Sequence, residues 1–409
     1  MKIRRQLHDQ VLAAAREYPV VTILGPRQSG KTTLARMAFP DHAHVSLEDP
    51  DTRYAAQADP RGFLEDLAAG AILDEVQRVP SLLSYLQGIV DADPAPGRFV
   101  LTGSHQPRLH EAIAQSLAGR TAVLTLWPFS LPELRHYAAR WDPFDLVVRS
   151  TFPPVHDRGL DPARFLAGYV ETVLERDVRP LLRVRDPVQF EQFLVLLAGR
   201  VGQLLNYSSL SGDVGVSVPT IRSWVCVLVA AHQVFLLPPW SANVRKRVVK
   251  APKLYFVEPA VAAFLLGIEN RDQAARHPLR GALYENLVVA ELLKGMLHRG
   301  RPAAAWFVRD SRGLEVDLLL RVRGRLLPLE IKSARTFSPS FLRPFERLPR
   351  FGIPDLAPGG ALLYDGDREY RIHGVRVFNP LATPDPWDAV VSLLDDAPED
   401  GKTDRGAPS

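Results

Sequence analysis

The sequence has 409 residues, of which 46% are hydrophobic and 23% are charged, a balance typical of globular proteins with two or three domains of about 150 residues each. The formal net charge of +4 permits nucleic-acid binding but does not indicate it. The single cysteine, Cys226, excludes an intramolecular disulfide and favours a reducing cytoplasm. No apolar stretch is long and uninterrupted enough for a signal-peptide core or a membrane span. We therefore expect a cytoplasmic protein without membrane contact.

The first 150 residues alternate between helix-like and strand-like patterns. The pattern predicts an amphipathic helix from Arg4 to Glu17, a buried strand from Val20 to Leu24 and a helix from Lys31 to Phe39. Further buried strands are predicted in HAHVSLED, AAGAILDE, GRFVLTGSH and RTAVLTL. Strands that alternate with helices indicate βαβ units and a parallel sheet.

The segment GPRQSGKT, from Gly25 to Thr32, matches the pattern G-x-x-x-x-G-K-[ST] between a predicted strand and a predicted helix. Backbone N–H groups of such a loop wrap phosphates, and the helix N-terminus favours negative charge. Lys31 can reach the β- and γ-phosphates, and the Thr32 hydroxyl can ligate Mg²⁺. The sequence therefore predicts an α/β P-loop NTPase sheet that binds ATP with Mg²⁺. The predicted nucleotide-binding residues are Gly25, Pro26, Arg27, Gln28, Ser29, Gly30, Lys31, Thr32 and Thr33.

Polar residues that follow the later strands complete this predicted site. Asp74 can hold Mg²⁺, and Glu75 beside it can orient the attacking water. Ser104 ends another strand, where it either senses the γ-phosphate or serves as an ordinary turn residue. Arg120 is predicted either as an arginine finger, donated to a neighbouring subunit of a homo-oligomer, or as a surface arginine.

Four stretches, LGPRQSGKTTL, ILDEVQRVP, LTGSH and LWPFSLPEL, resemble the motifs of a prokaryotic AAA+ family. Its members join an N-terminal P-loop ATPase domain to a C-terminal domain of unknown function. The resemblance continues through SVPTIRSWVCVL and LYENLVVAEL and covers roughly residues 15 to 340. It implies that Asp74 and Glu75 are the Walker B pair and that Ser104 is the sensor residue. His105 stands where such proteins often have a second serine, and we expect no role for it.

Residues 151–253 predict a helical and winged-helix domain after the ATPase domain of residues 1–150. The turn GVSVP precedes a helix from Pro219 to His232, whose apolar face includes Trp224 and leaves Arg222 outside. The following basic run resembles the wing of a winged helix, which either contacts DNA phosphates or is a solvated hairpin. The predicted DNA-contacting residues are Arg222, Arg245, Lys246, Arg247, Lys250 and Lys253.

Residues 254–395 predict a third, α/β domain, followed by a disordered tail at 396–409. Within it, GLEVDLLLRVRGRLLPLEIKSA predicts a hairpin with a two-residue Arg323-Gly324 turn. That register puts Asp317 opposite Glu330, with Cβ atoms about 5 Å apart, and Lys332 on the Glu330 face. Two carboxylates this close repel unless a cation such as Mg²⁺ or Mn²⁺ lies between them.

A helix acid, a strand Asp and a Glu-x-Lys pair resemble the PD-(D/E)XK nuclease superfamily. This resemblance implies that Glu285, Asp317 and Glu330 bind metal and that Lys332 is catalytic. Three interpretations remain open: an active nuclease, a metal- or DNA-binding site without cleavage, and a structural ion-pair network. The leading prediction is an ATPase that couples hydrolysis to DNA binding or processing. The alternative is a signalling or scaffold ATPase that binds a protein partner and whose nuclease-like domain is inactive.

Overall fold

The computed structural model describes residues 3–104, 107–173, 186–241, 251–310 and 314–395. The chain forms two compact units, Met1–Leu237 with Ala251–Ala303, and Pro238–Lys250 with Ala304–Ser409. These boundaries differ from the predicted ones near residues 150 and 253. Five positions to which the sequence analysis gave a prediction, His105, Arg245, Lys246, Arg247 and Lys250, and the predicted tail at 396–409 lie outside the described residues.

A five-stranded parallel sheet forms the centre of the first unit, which confirms the predicted α/β architecture of the ATPase part. Its strands follow the spatial order β2-β3-β4-β1-β5. Because β4 lies between β1 and β3, the strand that precedes the P-loop and the strand that ends at Asp74 are not neighbours. The strands are β1 (Val20–Gly25), β2 (Ala43–Ser46), β3 (Ala71–Asp74), β4 (Phe99–Ser104) and β5 (Thr121–Thr125).

Helices cover both faces of this sheet and bury two separate apolar clusters. One cluster includes Leu73, Leu101 and Leu86 from α5, and the other includes Ile23 and Leu34 from α2. The predicted first helix begins later than expected, at His8. The helices are α1 (His8–Glu17), α2 (Lys31–Ala38), α3 (Pro50–Ala58), α4 (Pro60–Glu65), α5 (Leu82–Ala92) and α6 (Pro107–Ser116).

The rest of the first unit is mostly helical. Its helices stand on both sides, in chain order, of an antiparallel pair, β6 (Val234–Leu237) and β7 (Lys253–Phe256). Trp224 is buried as predicted and makes edge contacts with Phe190 and Phe193. Cys226, on the same helix, is exposed. The helices are α7 (Leu131–Leu134), α8 (Pro143–Arg149), α9 (Pro153–Asp157), α10 (Pro162–Tyr169), α11 (Pro187–Ala198), α12 (Tyr207–Val214), α13 (Val218–Ala230), α14 (Pro259–Leu265), α15 (Arg271–Arg276) and α16 (Arg280–Leu297).

The long helix α16 belongs to the first unit rather than to the C-terminal domain predicted from residue 254. The Asn286 side chain both donates to and accepts from the backbone of Phe256 in β7. Because β7 in turn pairs with β6, the contacts of α16 extend across the predicted boundary. Within the described ranges, no single helix is both long and apolar enough to cross a membrane, and only α12 and α13, bent by 107°, reach that length and composition when counted together.

A six-stranded mixed sheet forms the second unit, in the order β12-β13-β11-β10-β9-β8. The predicted hairpin is confirmed, because Val322 pairs with Arg325 and Leu318 with Leu329. Arg323 and Gly324 have φ values of 49° and 83°, as a two-residue turn with left-handed central residues requires. The elements are β8 (Ala305–Arg309), β9 (Glu315–Val322), β10 (Arg325–Lys332), α17 (Arg343–Arg347), β11 (Gly360–Tyr364), β12 (Tyr370–Ile372), β13 (Val375–Phe378) and α18 (Pro386–Val391).

Candidate nucleotide-binding site

The P-loop connects the end of β1 to the start of α2 in a backbone conformation that favours glycine. A Cβ atom on Gly25 would lie 2.0 Å from the carbonyl oxygen of Leu126, which is far inside a van der Waals contact. Gly30 and Gln28 have φ values of 92° and 65°, in the left-handed region. The loop therefore turns tightly enough to direct successive N–H groups toward one centre.

Lys31 lies at the start of α2 with its ammonium group folded back over the loop. Its Nζ donates to the carbonyl oxygens of Pro26, at 2.8 Å, and Gly25, at 3.2 Å. Burial lowers the Lys31 pKa to about 8, although the nearby carboxylates of Glu75 and Asp74 oppose that shift. A buried ammonium held mainly by carbonyl oxygens gains electrostatic stabilisation when a phosphate approaches.

The Asp74 carboxylate accepts hydrogen bonds from hydroxyl groups of two neighbouring elements. Thr32 Oγ1 donates to Asp74 Oδ1 at 2.8 Å, and Thr102 Oγ1 of β4 donates to the same oxygen. His44 Nε2 lies 3.8 Å from Asp74 Oδ2. Since Thr32 and Asp74 are the residues predicted to hold Mg²⁺, their direct contact brings the two halves of the predicted metal site together.

Glu75 follows Asp74 in the left-handed conformation, with φ of 59°. Its carboxylate accepts from Gln77 Nε2 and lies 4.0 Å from the Arg27 guanidinium. Arg27 also lies 3.9 Å from Glu48, at the rim of the same cleft. Gln77 and Arg27 therefore hold the carboxylate that is predicted to orient water, and neither contact was predicted from the sequence.

Ser104 ends β4 directly beside Gly25, its partner in the parallel register. The Ser104 hydroxyl is buried and has no hydrogen-bond partner among the residues that the structure describes, and the same holds for the Ser29 hydroxyl in the P-loop. Buried hydroxyls usually have a partner. Two unsatisfied hydroxyls in and beside the P-loop therefore fit a site built for a polar ligand.

The structure places Arg120 away from this cleft. Arg120 precedes β5, whose first residue pairs with Val20 at the start of β1, whereas the P-loop follows the other end of β1. Its guanidinium forms a two-point contact with Asp91, at 2.9 Å for one pair of atoms. Arg120 therefore lies at the end of the sheet away from the P-loop of its own chain, and its two predicted roles, donation to a neighbouring subunit and an ordinary surface arginine, both stay open.

The cleft above the P-loop has a volume of about 470 Å³, within the usual range for a small-molecule site. One wall comes from α9, a short helix to which the sequence analysis gave no function. The residues that line the cleft are Arg27, Gln28, Gly30, Lys31, Thr32, Thr33, Glu48, Glu75, Pro153, Pro154, Asp157 and Arg158.

Arg5 supports the P-loop from behind and was also missed. Its guanidinium, almost fully buried, donates to the carbonyl oxygens of Ser29 at 2.6 Å and Trp127 at 2.7 Å. It also donates to Glu133 at 2.9 Å, and this arginine with the other contacts lowers the Glu133 pKa to about 2 against the opposing effect of burial. The P-loop backbone is thus held by a buried ion pair.

His298 adds a neutral base to this buried group. Its Nε2 accepts from the Trp127 N–H at 3.2 Å, so the proton of the neutral ring lies on Nδ1, which is 3.8 Å from Glu133. Burial lowers the His298 pKa to about 3, with the charges of Arg5 and Lys294 acting in the same direction and Glu133 opposing them. The imidazole therefore remains uncharged at neutral pH.

The second unit brings three of the four residues of the nuclease-like pattern together. Asp317 Oδ2 accepts from the Ile331 N–H at 2.9 Å and from Lys332 Nζ at 3.3 Å, and Lys332 also donates to Glu330. Burial and the charge of Asp317 raise the Glu330 pKa to about 8, against the effect of Lys332. The Lys332 pKa is also raised, because the two carboxylates outweigh the effect of burial. One ammonium thus compensates one carboxylate, and the other carboxyl favours its protonated form.

The remaining predicted residues have other partners in the first unit. Glu285 accepts from Lys253 Nζ at 3.1 Å and from the Tyr255 hydroxyl, so it contacts β7. Lys253 is only 3% exposed, which corrects its predicted role as a phosphate contact. Arg222 is exposed and lies over the Tyr207 ring at 4.4 Å. Among the described residues, no group of three or more His, Cys, Asp or Glu side chains is arranged to hold a metal ion.

Family profiles match three consecutive parts of the chain. Residues 17–135 match a profile described as an AAA domain. Residues 140–272 match the domain of unknown function DUF8612, and residues 280–383 match the domain of unknown function DUF4143. The profile over the P-loop and β3 to β5 thus agrees with a P-loop ATPase domain, while the two other profiles carry no functional description.

Solved structures show weaker similarity. The Walker-type ATPase paby2304 of Pyrococcus abyssi is 15% identical with a TM-score of 0.42, over 65% of this chain and 96% of that chain. The STAND protein PH0952 of Pyrococcus horikoshii, which has a tetratricopeptide repeat sensor, is 15% identical with a TM-score of 0.23, over 70% of this chain and 47% of that chain.

Two curated relatives match almost the whole chain. The uncharacterized proteins Rv2008c of Mycobacterium tuberculosis and Mb2031c of Mycobacterium bovis are each 31% identical over 399 residues, 96% of this chain and 87% of the relative. An uncharacterized protein of Haemophilus influenzae is 23% identical over 64% of each chain. The chain belongs to the same family as these mycobacterial proteins, and its N-terminal part is an AAA domain of the P-loop ATPase type.

Proposed function

We propose that this protein binds ATP with Mg²⁺ and hydrolyses it. One observation carries the proposal: Lys31, Thr32, Asp74 and Glu75 lie at one edge of the parallel sheet, where Thr32 is hydrogen-bonded to Asp74 and the other members lie in or beside one cleft. Ligands bind at this carboxyl edge in open α/β sheets. The unsatisfied Ser104 and Ser29 hydroxyls give further support.

The proposed roles follow from the charge and reach of each group. Lys31 stabilises negative charge on the outer phosphates, while the P-loop N–H groups bind the inner ones. Thr32 and Asp74 provide the oxygen ligands that Mg²⁺ prefers, and the bound ion neutralises charge on the phosphates. Glu75, held by Arg27 and Gln77, orients the attacking water, and Ser104 donates to the terminal phosphate.

ATP turnover by the purified full chain tests this proposal. Lys31→Ala should abolish turnover and weaken ATP binding, because Lys31 is the only lysine that lines the cleft in the described structure. Arg36→Ala is the matched control, since Arg36 is an exposed cation of the same helix. Turnover by Lys31→Ala at the rate of the control would refute the assignment.

Glu75→Gln separates binding from hydrolysis. The amide keeps the shape of the side chain but loses its negative charge, so ATP should still bind while turnover falls by about 10² to 10⁴ fold, the usual contribution of a proton acceptor. Equal loss of binding and turnover would instead indicate that Glu75 is needed for the structure of the cleft.

We propose a second activity for the second unit, the binding of Mg²⁺ or Mn²⁺ by Asp317 and Glu330 for action on DNA. The supporting observation is the buried Glu330 Oε2, which has no hydrogen-bond partner among the described residues, beside a second carboxylate and Lys332. Mg²⁺ commonly uses one or two carboxylates and keeps several waters. Lys332 would then stabilise a phosphoryl transition state. Glu285 does not enter this version of the site, because it is paired with Lys253.

Metal binding should release a proton, because a cation favours the ionised form of Glu330. Titration calorimetry with Mn²⁺ near pH 7.5, in two buffers of different ionisation enthalpy, measures that proton. Glu330→Gln should bind Mn²⁺ weakly and release none, and Arg325→Ala, at an exposed position on the same hairpin, is the control. Plasmid cleavage by the wild type but not by Asp317→Ala or Lys332→Ala would establish a nuclease.

The outcomes of these two assays also distinguish the alternatives. Metal binding without cleavage would favour a DNA-binding site. An absence of both would favour a structural ion-pair network in a signalling or scaffold ATPase. The order of α11 to α13, β6 and β7 supports the winged-helix interpretation, and Arg222→Ala should then weaken DNA binding and reduce its salt dependence. Unchanged DNA affinity in that variant would count against a DNA contact by α13.

A further inference from the structure

The wall of the cleft that α9 forms contains a cation that the proposed mechanism does not use. Arg158 is the residue at the C-cap position of α9, and it lines the cleft together with Pro153, Pro154 and Asp157. Its guanidinium forms no hydrogen bond or ion pair with any residue that the structure describes. The other arginine in the cleft, Arg27, is already engaged by Glu48 and Glu75.

The backbone that carries Arg158 is held firmly, although the side chain is not. His156 contacts the Ser150 carbonyl oxygen at 2.9 Å and lies edge-on to Trp141. The Tyr137 hydroxyl donates to Asp157. Two prolines begin α9, and Val155 is buried beneath it. A charged group on a fixed short helix loses less conformational freedom when it binds a ligand.

Two cations of the cleft have no ion pair that would compete with a phosphate. The Arg27 guanidinium lies beside Glu48 and Glu75, and the Asp157 carboxylate accepts from the neutral Tyr137 hydroxyl. Lys31 and Arg158 are then the cations in the described cleft that have no carboxylate partner. Phosphoryl transfer accumulates charge on the terminal phosphate, and many P-loop enzymes supply an arginine there from the same chain or a neighbouring one.

We propose that Arg158 contacts the terminal phosphate of the bound nucleotide within the same chain. The inference rests on the proposed ATP site and adds to it the residue that distinguishes ATP from ADP. Because α9 lies in the region that matches the domain of unknown function at residues 140–272, loss of the terminal phosphate would release a contact between the AAA domain and the following region.

Binding of ADP and of a non-hydrolysable ATP analogue to the full chain tests this contact. One charge-assisted hydrogen bond contributes enough that Arg158→Ala should weaken the analogue about 10 to 100 fold and change ADP affinity less than about twofold. ATP turnover should fall by at least about a thousandfold, as for other arginines of this kind. Arg158→Lys should recover part of the analogue affinity because it keeps the charge.

Arg164→Ala is the matched control. Arg164 is also an exposed arginine without a side-chain partner among the described residues, six positions further along in α10, but it does not line the cleft. Both variants should unfold at the wild-type temperature, since neither side chain supports the fold.

The possible results separate this inference from the ATPase proposal. If Arg158→Ala matches Arg164→Ala in all measurements while the wild type binds the analogue, the Arg158 contact is refuted and the ATPase proposal stands. If Arg158→Ala weakens ADP as much as the analogue, the contact is not with the terminal phosphate. If the wild type binds neither nucleotide, both proposals fail.

Discussion

Replacement of His298 by glutamine should remove part of the acid sensitivity of the fold. His298 is fully buried, and its pKa of about 3 lies well below the value of 6.5 for a free imidazole. As the pH falls, the unfolded chain therefore takes up the proton before the folded chain does. Stability from this residue is complete above pH 6.5 and is lost progressively as the pH falls toward 3.

The size of the effect follows from these two pKa values. Between pH 7 and pH 5, the histidine becomes almost fully protonated in the unfolded chain and remains neutral in the folded chain. This difference lowers the free energy of unfolding by about 2 kcal/mol. The charge of the neighbouring Glu133 in the folded state does not change in this interval, because its pKa is lowered to about 2. Glutamine can accept the Trp127 N–H in place of Nε2 but does not titrate.

Urea unfolding at pH 7 and pH 5, followed by tryptophan fluorescence, measures the difference. Wild type should lose about 2 kcal/mol more than His298→Gln between the two pH values, whatever the absolute stability of the variant at pH 7. Equal losses in the two proteins would mean that the imidazole is solvated or already charged in the folded state, and would refute the buried neutral histidine.

Three further predictions concern positions with a defined geometric or electrostatic constraint. Gly25→Ala should abolish nucleotide binding in a titration with a fluorescent ATP analogue, because its Cβ would lie 2.0 Å from the Leu126 oxygen; retained affinity would contradict the close approach of Leu126, which follows β5, to the P-loop. Gly324→Ala should lower the free energy of unfolding by about 1 kcal/mol, since Gly324 has φ of 83° and an L-residue is strained there; an unchanged midpoint in urea would be inconsistent with this turn. The folded pKa of Glu330 is about 8 against 4.5 for a free carboxyl, so its contribution is complete below pH 4.5 and is lost as the pH rises toward 8. The wild type should therefore lose more of its free energy of unfolding than Glu330→Gln as the pH rises through that interval, by on the order of 5 kcal/mol at most. If the free energies of unfolding of the two proteins change in parallel with pH, the raised pKa is refuted.

Local patterns made the P-loop and the second-unit hairpin predictable. The P-loop needs only eight consecutive residues between a strand and a helix. The turn Arg323-Gly324 sets the register of β9 against β10, so the approach of Asp317 to Lys332 followed from spacing alone. In both cases the residues that interact are close in sequence, and one backbone conformation determines the contact.

Contacts between distant segments could not be predicted in the same way. Arg5 and Glu133 are separated by 128 positions, and no periodic pattern connects them. Lys253 ends a basic run and was therefore predicted to contact DNA phosphates, but in β7 its side chain is buried and paired with Glu285. Arg120 is different, because it directly precedes β5 and so lies at the amino end of a parallel strand. The nucleotide is expected at the carboxyl ends of the strands, so the sequence already argued against a contact of Arg120 with the nucleotide of its own chain.

The buried Arg5 means that the nucleotide site is larger than its recognisable domain. The AAA profile begins at residue 17, so a fragment trimmed to the profile would retain every P-loop, magnesium and water-orienting residue. It would nevertheless lack the guanidinium that holds the Ser29 carbonyl and would leave Glu133 buried without its cation. Removing one member of such a pair commonly costs about 3 to 5 kcal/mol. Inactivity of that fragment would thus reflect a missing support beneath the loop rather than a defect in the chemistry above it.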